Sequence, residues 1–173
     1  MHMVIVDQGR APTIDRSTLP SNCTYVFRRD EGPFNRERCF VEGISQSEAS
    51  RNVFILCDSD MYLETLDIRA NLRMCERFNC VTGFSKVVEL TEEDSLRLRN
   101  ARTTQGIDIM ATTSPGTGRD GYCRFLTRDA IQILLRGDEH EQGRSLLSPR
   151  AQEIRVFQSP NYGLRLQPAR TRS

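Results

Sequence analysis

The stretch Asn52-Val53-Phe54-Ile55-Leu56-Cys57-Asp58-Ser59-Asp60 decides the fold class. Its apolar run is too short for a helix of ordinary length, is rich in β-branched and aromatic residues, and stops at three turn-forming side chains. Such a run is expected as a central strand buried on both faces. Directly after it, Leu63, Leu66, Ala70, Met74 and Phe78 recur at helical spacing across Met61 to Phe78, with Asp60 available as the cap. A helix is expected there, strand being the competing reading for its first half.

On the N-terminal side, residues 1–22 hold Gly9, Pro12, Pro20 and several Ser, Thr and Asn with few apolar neighbours beyond residue 7, so a flexible leader is expected. Thr24-Tyr25-Val26-Phe27 is β-prone, Gly32-Pro33 breaks it, and Arg38-Cys39-Phe40-Val41 before Gly43 offers a second strand, giving a hairpin. On the C-terminal side, Thr91-Glu92-Glu93-Asp94 starts like a capping box, and Leu96, Leu98 and Ala101 continue a short helix that ends before Gly106. Ile107 to Ala111 reads as a strand and Thr112 to Gly121 as a loop or turn. Thr127 caps a helix over Arg128 to Arg136, closed by Gly137. Pro149 interrupts the backbone, Ile154 to Phe157 alternates as an edge strand would, and 161–173 reads as a flexible tail. Strands and helices interleave without strict βαβ order, so the fold class is α+β, with short strands, hairpins and about three helices. The expected parts are a leader over 1–22, an α+β partner-binding part over 23–78, a second part over 79–160 and the tail.

Among 173 residues, 24 basic side chains stand against 23 acidic ones, a formal charge of +1. Neither nucleic acid nor an anionic membrane surface is therefore held by a whole-chain field. No run approaches the roughly 20 apolar residues that span a bilayer, and the start MHMVIVDQGR lacks a basic segment followed by a long apolar one. Neither nucleic acid nor a membrane is an expected partner. One basic side chain is lysine, Lys86, and the other 23 are arginine. A GC-rich genome yields this bias; so does selection against lysine acceptors in a protein that works beside ubiquitin machinery, since guanidinium cannot accept ubiquitin.

Of six cysteines, at 23, 39, 57, 75, 80 and 123, three sit in apolar contexts such as FILC and RCF, and the set reads as buried free thiols of a reducing compartment. Cys75, Cys80, Cys123 and His140 make the one zinc set to weigh, although Cys-x4-Cys lies at the edge of ligand spacing. No cofactor or metal is expected. His140 lies in a polar loop, and no nucleophile-elbow sequence surrounds any Ser or Cys. Ser114-Pro115-Gly116-Thr117-Gly118-Arg119 lacks the Gly-Lys-Ser/Thr ending of a phosphate loop. No catalytic side chain is assigned.

Between Asn79 and Ile154 the order of segments resembles a degenerate U-box, the zinc-free relative of the RING domain, and within that class the NleG-type ubiquitin ligases that bacteria inject through type III secretion. Asn79-Cys80-Val81-Thr82 is similar to the family's first loop. Ile107 to Met110, the Ser114–Gly121 turn, Gly121-Tyr122-Cys123-Arg124-Phe125 and the helix Thr127 to Leu135 follow in the family's order, and Leu147-Ser148-Pro149-Arg150 stands for its last loop. Gly83 to Gly106 is about twice as long as the corresponding family segment. The resemblance implies an effector, delivered from a bacterium into the host cytoplasm, that holds a ubiquitin-conjugating enzyme against a host protein substrate and accelerates transfer by positioning. It carries Val81, Ile131, Leu135, Pro149 and Arg150 over as the enzyme-binding surface. Each aliphatic member also has a plain reading as core. Two other readings stand beside it: a noncatalytic protein-binding or adaptor module gripping a partner through an exposed strand edge, such as Ile154 to Phe157 or the hairpin before Gly43, and a host-modifying transferase, which would show a deep polar pocket.

Overall fold

A computed structural model describes residues 1–47, 50–101, 104, 113–115, 123–137, 154–158 and 162–166, with backbone alone at 113–115, 136–137, 156–158 and 162–163. The chain divides into two units, Met1–Asn52 with Leu134–Pro149, and Val53–Ile133 with Arg150–Ser173. Both mix helices and strands, and the fold class is α+β.

In the first unit Met3–Gly9 (β1) and Cys23–Arg29 (β2) run parallel, Met3 opposite Cys23 and Gly9 opposite Arg29. A strand thus stands inside the expected leader, because Met3-Val4-Ile5-Val6 is β-prone and finds its partner some 20 positions away in the chain. A 3-10 turn at Arg16–Thr18 lies in the connection, where Asp15 accepts from the Ser17 N–H at 2.9 Å. The helix Arg36–Ser45 (α1) replaces the expected second strand of a hairpin. Asn35 is extended and its side chain accepts from the Arg38 N–H at 2.9 Å, so the helix begins directly after the Gly-Pro break. Cys39 and Gly43, one turn apart, then face β1: the Cys39 Sγ–H lies 3.5 Å from Gln8 Oε1, and a Cβ on Gly43 would sit 3.4 Å from Val6 Cγ2.

The second unit runs Val53–Cys57 (β3), Met61–Tyr62 (β4), Thr65–Met74 (α2), Cys80–Thr82 (β5), Lys86–Glu89 (β6), Glu92–Ala101 (α3), Thr113–Pro115 (β7), Cys123–Thr127 (β8), Arg128–Gly137 (α4), Val156–Gln158 (β9) and Tyr162–Arg165 (β10). By the division above, the last turn of α4 is counted with the first unit. One four-stranded sheet has the order β3-β8-β5-β9, the other β4-β10-β6-β7. The boundary expected between 78 and 79 falls inside the first of these sheets, since β3 pairs antiparallel with β8 across some 70 residues. Local punctuation carries no sign of a pairing that distant.

Other expectations change for local reasons. Asp60 does not cap α2, which starts at Thr65 after Glu64; its carboxylate instead takes Arg165 Nε at 3.0 Å, and Met61–Tyr62 is strand, as the competing reading had it. Thr113–Pro115 pairs with β6 where a turn was expected, and β10 lies in a segment for which no element was expected. The strand expected over 107–111 lies outside the described residues. The two helix starts stand as read: Thr91 Oγ1 accepts from the Asp94 N–H at 3.1 Å and donates to its carboxylate at 2.9 Å, and the Ala130 N–H reaches Thr127 Oγ1 at 3.3 Å. Val88, Leu90, Leu98 and Leu164 form the core between α3 and the second sheet. No helix among the described residues is long and apolar enough to cross a membrane.

Asp7 gives the β1–β2 pair a measurable acid dependence. Burial opposes its ionisation, but Tyr25 Oη at 2.6 Å, the Thr13 N–H at 2.8 Å and Thr13 Oγ1 at 2.9 Å all donate to Oδ2, and together they hold the carboxyl below its ordinary 3.8. A depressed native pKa contributes stability above the unfolded value and loses it as pH falls through the folded one. Asp7→Asn should cost on the order of 1 kcal/mol at neutral pH in urea denaturation, and its difference from the native chain should shrink below about pH 4.

Candidate functional site

Among the residues singled out in the sequence, the β3-β8-β5-β9 sheet carries Cys57, Cys80, Val81 and Cys123. Its backbone directions follow from two hydrogen bonds, Gly83 N–H to Cys123 O and Thr127 N–H to Asn79 O, both 2.9 Å. They place the backbone groups of Cys123, Phe125 and Thr127 toward β5. By alternation, Arg124 and Leu126 face β3, where their register partners are Leu56 and Phe54. The N–H and C=O groups of Val53, Ile55 and Cys57 consequently point away from β8. On the far side, Cys80 N–H reaches Arg155 O at 3.1 Å, so Cys80 and Thr82 serve β9.

Side chains divide between the two faces by the same alternation. Val53, Ile55, Cys57, Val81, Cys123 and Phe125 share one face, where Val81 and Phe125 are fully buried among Phe84, Val87 and part-buried residues that include Met61, Leu72 and Cys75. Phe54, Leu56, Cys80 and Leu126 lie on the other. This face division separates Cys80 from Cys123, so the weighed zinc set is not assembled on one side of the sheet. All six cysteines are free thiols. Burial pushes Cys75 up to about 11, with the neighbouring Cys80 adding to it, and burial raises Cys80 as well; both are protonated at neutral pH.

Of the residues carried over as an enzyme-binding surface, Val81 is 0% and Ile131 5% exposed, while Leu135 is half-buried. The first two present almost no side-chain surface, in keeping with their plain reading as core. Pro149, Arg150 and His140 lie outside the described residues. Arg165 joins Asp60 at 3.0 Å and Glu89 at 3.6 Å, and its charge is stabilised first by the Asp60 hydrogen bond. That triad ties β10 to its neighbours at a partly exposed rim, where such pairs contribute little.

Sequence reasoning missed two features of this sheet. β3, read as central, stands at the edge among the described residues, because the composition that suits a strand covered on both faces says nothing of what lies beside it. Asn71, which the sequence pattern did not single out, is 1% exposed and its Nδ2 donates to Gly83 O at 3.1 Å. Gly83 in turn lies so close to β8 that a Cβ would stand 2.9 Å from Cys123 Sγ and 3.1 Å from its Cβ. The glycine after a β-prone tripeptide was the available signal.

Comparison with known proteins returns no match from family models, curated proteins or solved structures.

Gly83→Ala should force Cys123 and the β5–β8 pair apart, lowering stability by roughly 1–3 kcal/mol in chemical denaturation. The shift should appear in the denaturation midpoint with an unchanged slope.

Proposed function

We propose that the chain is a noncatalytic protein-binding module that accepts an extended segment of a partner protein along β3. One observation carries this reading: a five-residue strand without a charged or polar side chain, Val-Phe-Ile-Leu-Cys, occupies a sheet edge among the described residues and turns the backbone groups of Val53, Ile55 and Cys57 away from β8. Natural edges are normally blunted by charge, proline or a bulge. An edge left apolar, with alternate main-chain groups open to pairing, suits strand addition, in which those groups supply affinity and neighbouring side chains supply selectivity. The other edge, β9, has three residues, offers fewer groups and is the secondary choice.

Selection of extended peptides from a displayed library, followed by amide hydrogen exchange of the complex, tests this. Bound peptide should slow exchange at Val53, Ile55 and Cys57, whose amides face outward, far more than at Phe54 and Leu56, which already serve β8. Val53→Pro, at the first strand position where proline is tolerated, should weaken binding about tenfold through one lost donor. Peptides that bind without protecting these three amides would sink the reading.

The ubiquitin-ligase reading keeps one supporting observation, the single lysine, Lys86, which is exposed on β6. Activating enzyme, a panel of conjugating enzymes and ubiquitin separate the two readings. Ubiquitin chains formed by the native chain and lost in a folded Leu135→Asp variant would favour the ligase. Val81→Lys is unsuitable for that purpose, since an ammonium at a fully buried position would unfold the unit.

A further inference from the structure

Cys57 ends β3 and lies directly opposite Cys123, the first residue of β8. The main-chain groups of Cys123 face β5, as its carbonyl's bond with the Gly83 N–H requires, so Cys57 and Cys123 are a non-hydrogen-bonded cross-strand pair. Such pairs bring Cα atoms to about 4.5 Å and side chains closest together. That separation falls inside the span of about 4.4–6.8 Å that a disulfide bridges. Both sulfurs belong to the same face and the same apolar cluster, and Cys123 is held from behind by Gly83, whose missing side chain leaves room for its sulfur and for nothing larger. Cys123 is buried, whereas Cys57 is only part-buried.

We propose that Cys57 and Cys123 are a redox site that closes reversibly to a cross-strand disulfide with a small-molecule disulfide as oxidant, a property independent of what β3 binds. The part-buried Cys57, more accessible than the buried Cys123, is the sulfur that solvent delivers reagent to first. Its thiolate attacks one sulfur of the oxidant, the oxidant's S–S bond breaks, and one small thiolate leaves with the electron pair. The Cys123 sulfur, losing its proton to water, then attacks Cys57 of the mixed disulfide and expels the second small thiolate. Two protein thiols are oxidised and one small disulfide is reduced to two thiols. A hydrogen bond with Cys57, then burial, hold the Cys123 thiol far above its ordinary range, so the closing step quickens as pH rises. Of the other nearby thiols, Cys80 is on the opposite face of the sheet, and Cys75, which follows α2, packs against the same cluster but is not the register partner of Cys123, as Cys57 is.

The test equilibrates the full chain at fixed ratios of reduced to oxidised glutathione, quenches with acid, alkylates, digests without reduction and maps linkages by mass spectrometry. As the ratio becomes oxidising, peptides joined through Cys57 and Cys123 should appear with the loss of two hydrogens, and both residues should leave the alkylated pool together while Cys75 and Cys80 stay in it. Cys57→Ser, a change at a part-buried position, should abolish the linkage and leave no glutathione on Cys123. In Cys123→Ser, glutathione should be trapped on Cys57. Absence of the Cys57–Cys123 linkage at every ratio in natively folded protein, a Cys75–Cys80 linkage in its place, or linkage only after unfolding in urea would each overturn the proposal.

Discussion

Strand β8 can offer each of its residues' main-chain groups to one neighbour only, and that restriction organises the second unit. Cys123, Phe125 and Thr127 are committed to the β5 side by bonds with Gly83 and Asn79, leaving Arg124 and Leu126 for β3. From this single choice follow which side chains share a face, which amides of β3 are left facing outward, and why the two cysteines at the end of β3 and the start of β8 meet without a ladder bond between them. A slip by one residue would exchange the two faces and place Phe125 and Val81 where Leu126 and Cys80 now lie.

The register is held from the side by polar groups that the fold has taken out of water. Asn71 on α2 is almost wholly buried and satisfies the carbonyl of Gly83, whose own N–H serves β8. Leaving that carbonyl without a donor would cost about 1–3 kcal/mol, so helix, turn and strand are coupled through one residue. The same glycine allows the backbone to approach Cys123 at a distance no side chain would permit. A structural device and a chemical one therefore meet at a single position: what packs β5 on β8 also seats the sulfur of the inferred redox pair.

Much of the local structure was legible. The run Val53 to Cys57, the β-prone Thr24 to Phe27, the start of α3 at Thr91 and the start of α4 at Thr127 all stand where pattern and capping chemistry put them, because each signal lies within a few residues of what it specifies. Arg38 to Val41 misled because a four-residue run with three apolar members in a row fits a helix as well as a strand, and the cap that decides between them, Asn35, precedes the run. Met3 to Val6 misled because its polar successors resemble a linker, while its partner strand begins near Cys23.

The candidate site divides along the same line. That the chain is α+β and that its charges nearly balance were determined by the sequence alone, since composition and short-range periodicity act through the nearest neighbours of each residue. That β3 stands at an edge, that Val81 is sealed in the interior, and that Cys57 faces Cys123 were decided only by the tertiary structure. Each depends on strands brought together from positions some 40 to 75 residues apart, and a pairing over such distances leaves no mark in the spacing of either partner.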